Sequence, residues 1–533
     1  MPSDKKTEFD IIVVGGGITG AGVARDAALR GLSCLLVEKG DFASGTTSKS
    51  TRLIHGGLRY LANFEVDLVA ESLRERAVLR KQAPYLIHPV PILIPIYRDD
   101  LHGRTVISIG IHLYDLLSHE RDIPHYFTSN REKTLKFEPR LRQEGLQGSA
   151  LFFDHQIRMP ERLVIENILA ARQAGAVTLN HTLAEKIEEL PDRVAVSTRD
   201  AFSGAQGTYR ARVLINAAGP WIDRVRARGG LVSTSVIHPT KGIHLVMPRL
   251  STQALFVTSR DGRMFFIIPL GDYSLIGTTD TNYDGDLDHV HADNADIDYL
   301  LNESRRVLPG LGINRQSIFH TYAGIRPLAF SGPHTSKISR KHRILREGRA
   351  GRIITIAGGK LTTYRHMAED VVNAACRVLG IKTPCTTSRT PLPGDIGAEY
   401  EVYLKQGVRE LSVKYKTAEA LVRHLVDCYG SRAANVLEIV KENPAMGEAI
   451  SPECADIGAQ IEFSIKEEQG RTLEDILLRR MAIGMSRSRG LDQIDRVASV
   501  AATHLRWSKD ERQHAVDLYR EALKKETACL NTD

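Results

Sequence analysis

The chain has 533 residues, length for three or four domains at roughly 150 residues each, with 42% hydrophobic and 25% charged residues and with 43 glycines and 21 prolines spread without a repeat. This composition excludes disordered, collagen-like and coiled-coil classes, and a net charge of +7 is too small to make a polycationic nucleic-acid footprint. The six cysteines (Cys34, Cys376, Cys385, Cys428, Cys454, Cys529) are far apart, with no C-x-x-C pair and no histidine at ligand spacing. They point to reduced thiols and to no metal or iron–sulfur site.

The N-terminus is polar, and its apolar run, Ile11 to Val14, stops at Gly15, too short for a signal-peptide core. Phe9 to Val14 reads as a strand buried on both faces. It runs into a glycine cluster and an alanine-rich helix, Thr19 to Arg30, closed by Gly31. Leu32 to Val37 then ends at Glu38, completing a strand–helix–strand unit. A helix is expected over Glu65 to Arg80, and Pro84 to Arg98, with four prolines, is extended or looped. Val106 to Leu117 is amphiphilic but about half the length of a spanning helix. A helix at Glu161 to Ala174 and strands at Ala176 to Thr182 and Val213 to Ala217 follow. The alternating strands His244 to Met247, Met264 to Pro269 and Ser274 to Thr279 suggest an antiparallel second domain. Ile353 to Ala357 returns to the parallel pattern, with a helix from Thr362. Beyond Pro391, Pro393 and Gly394 the chain is helical, with capping boxes at Thr472-x-x-Asp475 and Ser508-x-x-Glu511.

Gly15, Gly17 and Gly20 form G-x-G-x-x-G between strand and helix, with Glu38 at the end of the second strand. The glycines let backbone approach a pyrophosphate at a helix N-terminus, and the carboxylate accepts ribose hydroxyls, which favours FAD or NAD over a 2′-phosphorylated nucleotide. The run Asp280-x-Asn282-x-Asp284-Gly285 opens like a calcium loop but has His291 where the bidentate glutamate belongs, so it is a polar turn. Lys337, Arg340, Lys341, Arg343, Arg346, Arg349 and Arg352 read as a solvated hairpin face, with anionic lipid as the alternative.

The longer strings extend this reading. They are Val14-Gly15-Gly16-Gly17-x-x-Gly20-Ala21-Gly22, Ile54-His55-Gly56-Gly57-Leu58-Arg59-Tyr60, Asn216-Ala217-Ala218-Gly219-Pro220-Trp221, Lys241-Gly242-Ile243-His244, Ile276-Gly277-Thr278-Thr279-Asp280, Gly324-Ile325-Arg326-Pro327-Leu328 and Gly358-Gly359-Lys360-x-x-Thr363-Tyr364-Arg365. Together, and in this order, they closely resemble the FAD-dependent glycerol-3-phosphate dehydrogenases. The resemblance is dense over about residues 8 to 395 and loose in the helical tail.

The resemblance implies an α/β fold: a discontinuous Rossmann-like FAD-binding domain of the glutathione-reductase and D-amino-acid-oxidase type (1–83, 150–230 and 340–388), an antiparallel-sheet substrate domain (84–149 and 231–339) and a helical C-terminal domain (395–533). It implies non-covalent FAD and oxidation of sn-glycerol 3-phosphate to dihydroxyacetone phosphate, with electrons passed to membrane quinone. The enzyme would be a homodimer held peripherally on the cytoplasmic face of the cell membrane. The implied catalytic residues are His244, Arg326, Arg59, Lys360 and Tyr60. The implied cofactor contacts are Gly15, Gly17, Gly20, Glu38, Thr46, Thr47, Ser50, Thr51, Ala184 (by its backbone, to adenine), Gly219, Gly358, Lys360, Leu361 and Thr362; no metal is implied. The chemistry of the residues agrees in outline: alcohol oxidation by hydride transfer needs a base, cations for the phosphate, and a positive group at the flavin. Taken singly, His244 is as well explained as a structural strand histidine and Arg326 as half of an ion pair. Lys360 opposes the helix dipole at a helix start, so helix stability does not explain it. The tail lacks the cysteine-rich spacing of the anaerobic relatives, although the stretch around Cys385 is similar to that branch. Rival readings are an oxygen-using glycerol-3-phosphate oxidase, an amino-acid oxidase of the same fold, and a flavin-bearing RNA-binding protein.

Overall fold

A computed structural model describes residues 6–100, 103–118, 124–231, 234–330, 341–397 and 399–530, and of residues 59, 62 and 63 the backbone only. The apolar runs at the start of the chain form the strands Glu8–Val14 and Cys34–Val37, on either side of the helix Ile18–Leu29. They belong to an eight-stranded sheet. Its main path runs Arg343–Glu347, Ile353–Ala357, Gln206–Asn216, Glu8–Val14, Cys34–Val37, Val177–Leu179. The last five of these are mutually parallel, so the strands arrive from three separate stretches of sequence. One face packs on the helices Ile18–Leu29, Pro160–Gln173 and Tyr364–Leu379. The other is covered from Thr182–Glu189 and Val194–Asp200, an antiparallel extension. With both faces covered, continuous apolar runs rather than alternation are what the sequence must show.

The second sheet has ten strands, antiparallel except where Ala254–Thr258 runs parallel to Ile87–Tyr97. Its spine is Ile237–Pro248, flanked by His320–Ala329 and Tyr273–Gly277. The proline-rich stretch is therefore a strand. Pro89, Pro91 and Pro95 share one parity, so their missing N–H groups all face one neighbour and the other ladder is untouched. The strand Leu146–Ile157 runs across the expected boundary at 149/150 and pairs along its whole length in this second sheet. The register of this long antiparallel pair keeps the strand whole, so the expected boundary at 149/150 does not fall between the two sheets.

The amphiphilic segment is the helix Arg104–Leu116, with Ile111 and Tyr114 turned inward. The basic run is split: Lys337 and Arg340 lie outside the described residues, while Arg343–Glu347 forms a hairpin with Ile353–Ala357. The C-terminal part is helical, and both expected capping boxes form, Thr472 with Asp475 and Ser508 with Glu511. Asp475–Arg480 is a π-helical turn. From it Arg479 and Arg480 reach Asp41 of the nucleotide domain, at 2.6 to 2.8 Å, with all three residues buried.

Candidate active site

The loops that follow Val14, Val37, Asn216 and Ala357 leave the same, carboxyl edge of the parallel sheet, the edge where open α/β sheets bind ligands. Gly15 takes φ +112°, and a Cβ there would meet Ala217 O at 2.6 Å. A Cβ on Gly20 would run into the Gly15 carbonyl. Gly17 differs: its backbone is extended, and the nearest atom to an added Cβ is Thr47 Oγ1 at 3.6 Å. The space in front of the helix N-terminus is thus open, and the partial positive charge of that terminus faces it. Glu38 accepts from Gly16 N at 2.6 Å and Gly40 N at 2.8 Å. Burial pushes its carboxyl upward, and the two amides pull the other way. This bare cradle beside a carboxylate fits the pyrophosphate and ribose of FAD.

The expected pyrophosphate hydroxyls turn out to be partly committed to protein. Thr47 Oγ1 accepts from Ile18 N at 3.2 Å, Thr46 donates to Ile325 O at 2.7 Å, and Ser50 Oγ accepts from Arg52 N at 3.3 Å. Thr46 in this way ties the nucleotide loop to the strand that carries Arg326. Ala184 is buried at a register shift in Thr182–Glu189, and its carbonyl accepts from Arg228 at 2.6 Å. Gly219, Gly358 and Gly359 all have positive φ. Thr362 is docked on His55, accepting from its N–H at 3.0 Å and donating to its carbonyl at 3.1 Å, with Leu361 preceding it.

In the second sheet the register places Thr240 opposite Arg326, Gly242 opposite Gly324 and His244 opposite Tyr322, all on one face. The glycine at 242 lets the Arg326 guanidinium lie across the sheet, where a Cβ would overlap it. Arg326 is anchored by Asp280 Oδ1 (2.9 Å), Thr278 Oγ1 (2.9 Å) and Thr279 O (2.7 Å). The sequence resembling a calcium loop is therefore an arginine support. His244 is buried and stacked on Tyr322 at 4.8 Å between centroids, and its Nε2 lies 3.0 Å from Thr51 Oγ1. Burial, with Arg326 and Arg52 nearby, holds its imidazole well below the usual histidine range, so the ring is neutral. On the nucleotide side Lys360 Nζ sits 4.1 Å from the centroid of the buried Tyr60 ring and donates to Ser72 Oγ at 3.0 Å. The Arg59 side chain lies outside what the structure describes.

Sequence reasoning missed Thr51 as the partner of His244, Tyr322 beneath the imidazole, and Ser72. It also missed two groups of ligand-type side chains, His424–Cys428–Asp456 and Asp41–His181–Asp475; in the former His424 and Cys428 stand four residues apart on one helix, which corrects the expectation of no histidine at ligand spacing. In the second, Arg479 and Arg480 already fill the position a cation would take. In the first, Asp456 is engaged by His424, Gln460 and the Ile483 amide.

Residues 10–365 match the family described as FAD dependent oxidoreductase, and residues 385–512 match the C-terminal domain of alpha-glycerophosphate oxidase. A glycerol-3-phosphate dehydrogenase of Synechocystis sp. is 39% identical, covering 99% of this chain and 98% of the relative. An aerobic glycerol-3-phosphate dehydrogenase of Staphylococcus saprophyticus is 35% identical over 89% of this chain and 87% of its own. The crystal structure of the Bacillus halodurans glycerol-3-phosphate dehydrogenase complexed with FAD superimposes with a TM-score of 0.82 at 30% identity, over 100% of this chain and 97% of that one. The chain therefore belongs to the family of FAD-dependent glycerol-3-phosphate dehydrogenases.

Proposed function

We propose that the protein oxidises sn-glycerol 3-phosphate to dihydroxyacetone phosphate, with electrons leaving to a quinone in the membrane. The observation that carries the site reading is the shared sheet face of a buried neutral His244 and an anchored Arg326. The neutral imidazole keeps a lone pair for the C2 hydroxyl proton, while Thr51 and Tyr322 fix its plane. Arg326, its terminal nitrogens held by Asp280, Thr278 and Thr279, brings a fixed positive charge towards the phosphate, and the family resemblance adds Arg59 as a second cation. Non-covalently bound FAD supplies the hydride acceptor. The Gly15–Gly20 turn would hold its pyrophosphate and Glu38 its ribose, and Lys360 with Tyr60 would stand beside its ring. Thr46, Thr47, Ser50, Thr51, Ala184, Gly219, Gly358, Leu361 and Thr362 would complete its binding site.

The quinone reading is supported by one surface. Along the helix Arg104–Leu116, Val106, Ile109, Leu113 and Leu116 recur at helical spacing, and Val106, Ile109 and Leu116 are 57, 65 and 73% exposed. Phe64, 90% exposed, follows the turn Leu58–Asn63 on which this helix packs. An apolar stripe of this kind suits shallow insertion into lipid, and among the described residues no helix is long and apolar enough to cross a membrane. Homodimeric assembly and placement on the cytoplasmic face are carried by the family resemblance. Anaerobic mixing with glycerol 3-phosphate should bleach the flavin, and a quinone analogue should reoxidise it faster than air. Reoxidation by oxygen alone, with hydrogen peroxide released, would favour the oxidase reading.

A further inference from the structure

Ser72 lies inside the helix Val66–Gln82 and is fully buried. Its hydroxyl donates to the Leu68 carbonyl one turn earlier, at 2.7 Å. A hydroxyl has a single proton. Once that proton is committed to the helix, the oxygen can only accept, and it accepts from Lys360 Nζ at 3.0 Å. A serine is neither the best helix former nor an apolar filler, and the neighbours Leu68, Val69 and Leu73 all pack in a hydrophobic cluster. Packing alone would place an aliphatic residue there.

Two further residues of the same helix do comparable work. Glu75 holds Arg365 through bonds of 2.6 and 2.8 Å, and Arg76 holds Asp154 at 2.6 Å. Asp154 in turn accepts from Tyr114, whose hydroxyl takes the Gly56 amide. The helix thus grips the Gly56 turn and both ends of the segment from Lys360 to Arg365. A lysine side chain has many rotamers, and the Ser72 oxygen gives its ammonium an acceptor at a fixed place beside Tyr60.

We propose that Ser72 is a positioning residue that holds the Lys360 ammonium against the isoalloxazine of bound FAD and so sets the electron affinity of the ring. The inference rests on the placement of Lys360 given under Proposed function. A cation at that place favours every state in which the ring has taken up negative charge, sulfite addition included.

The test uses the FAD-loaded enzyme and its variants Ser72→Ala, Ser72→Thr and Lys360→Met. Three quantities are read: the midpoint potential by dye equilibration, the sulfite dissociation constant, and the anaerobic rate of flavin reduction. Ser72→Ala should keep its FAD and its melting temperature, lower the potential and weaken sulfite binding about three- to tenfold, the scale of one hydrogen bond. Ser72→Thr, which keeps the hydroxyl, should restore both, and Lys360→Met should shift both further in the same direction. A shift in Lys360→Met with none in Ser72→Ala overturns the role of Ser72 alone, as does failure of threonine to restore. No shift in Lys360→Met overturns the placement of the lysine as well.

Discussion

Gly277 makes the room in which the His244 ring lies: a Cβ at position 277 would overlap the imidazole and come within 2.8 Å of the Ile243 carbonyl. The two residues face each other across the antiparallel pair Ile237–Pro248 and Tyr273–Gly277. Gly277→Ala should push the ring away from Thr51 and slow flavin reduction at least tenfold, roughly 1.4 kcal/mol of barrier, while FAD content stays at one per chain. Rapid-reaction spectroscopy of the variant checks this, and an unchanged rate would mean that ring position is unimportant.

His244→Ala should slow flavin reduction by roughly 100-fold or more, the usual contribution of a general base. Thr51→Val should cost less, about fivefold, because it removes orientation and leaves the base. Equal rates in wild type and the alanine variant would move the base role to His55, whose backbone Thr362 holds.

Arg326→Ala should act on the substrate rather than the chemistry. Loss of a fixed guanidinium charge opposite the phosphate costs about 2 to 4 kcal/mol of binding, seen as a higher KM with a smaller change in the limiting reduction rate. A fall in the limiting rate at unchanged KM would contradict phosphate anchoring.

Two glycines of one motif should fail in different ways. Gly17 has extended backbone and open space, so Gly17→Val should fold to an apoprotein of near-normal melting temperature that does not retain FAD. Gly20 touches the Gly15 carbonyl, so Gly20→Val should lose the fold itself. Flavin absorbance and thermal melts of both variants separate the outcomes.

Stability should peak near pH 6.5. Burial keeps His244 and His320 neutral well below the usual range, and His155 down to about 2. The unfolded chain protonates them near 6.5, so each steepens the loss of stability below that pH by about 1.4 kcal/mol per pH unit. His424 behaves oppositely: although burial opposes it, Cys428 and Asp456 raise its pKa. Its contribution is complete below pH 6.5 and fades as pH rises through its folded value. Melting temperatures from pH 5 to 9 test both limbs, and a flat acid limb would contradict the buried neutral imidazoles.

What the sequence makes legible is whatever a short stretch must do by itself. The Gly15–Gly20 turn and Glu38 could be read from spacing because strand, turn and helix are contiguous there. His244 and Arg326 could be read only through their motifs, since nothing local distinguishes them from structural residues. The Thr51–His244 and Ser72–Lys360 pairs span 193 and 288 residues, and no local period encodes such a meeting. The strand Ile87–Tyr97 was obscured for a different reason. Prolines argue against a central strand in general, and only the parity of Pro89, Pro91 and Pro95 makes this one admissible.

The junction of Asp41 with Arg479 and Arg480 bears on how the protein is made. The acid emerges 438 and 439 residues ahead of its two partners; at ~5–20 residues per second the interval is about 20 to 90 s. Through that time the turn after Glu38 holds a carboxylate with no counter-charge to accompany it inward, and the strand Ile353–Ala357 is also still to come. The junction between the nucleotide domain and the helical C-terminal part therefore closes only at the end of translation, and a ribosome that stalls before residue 480 leaves Asp41 without either arginine.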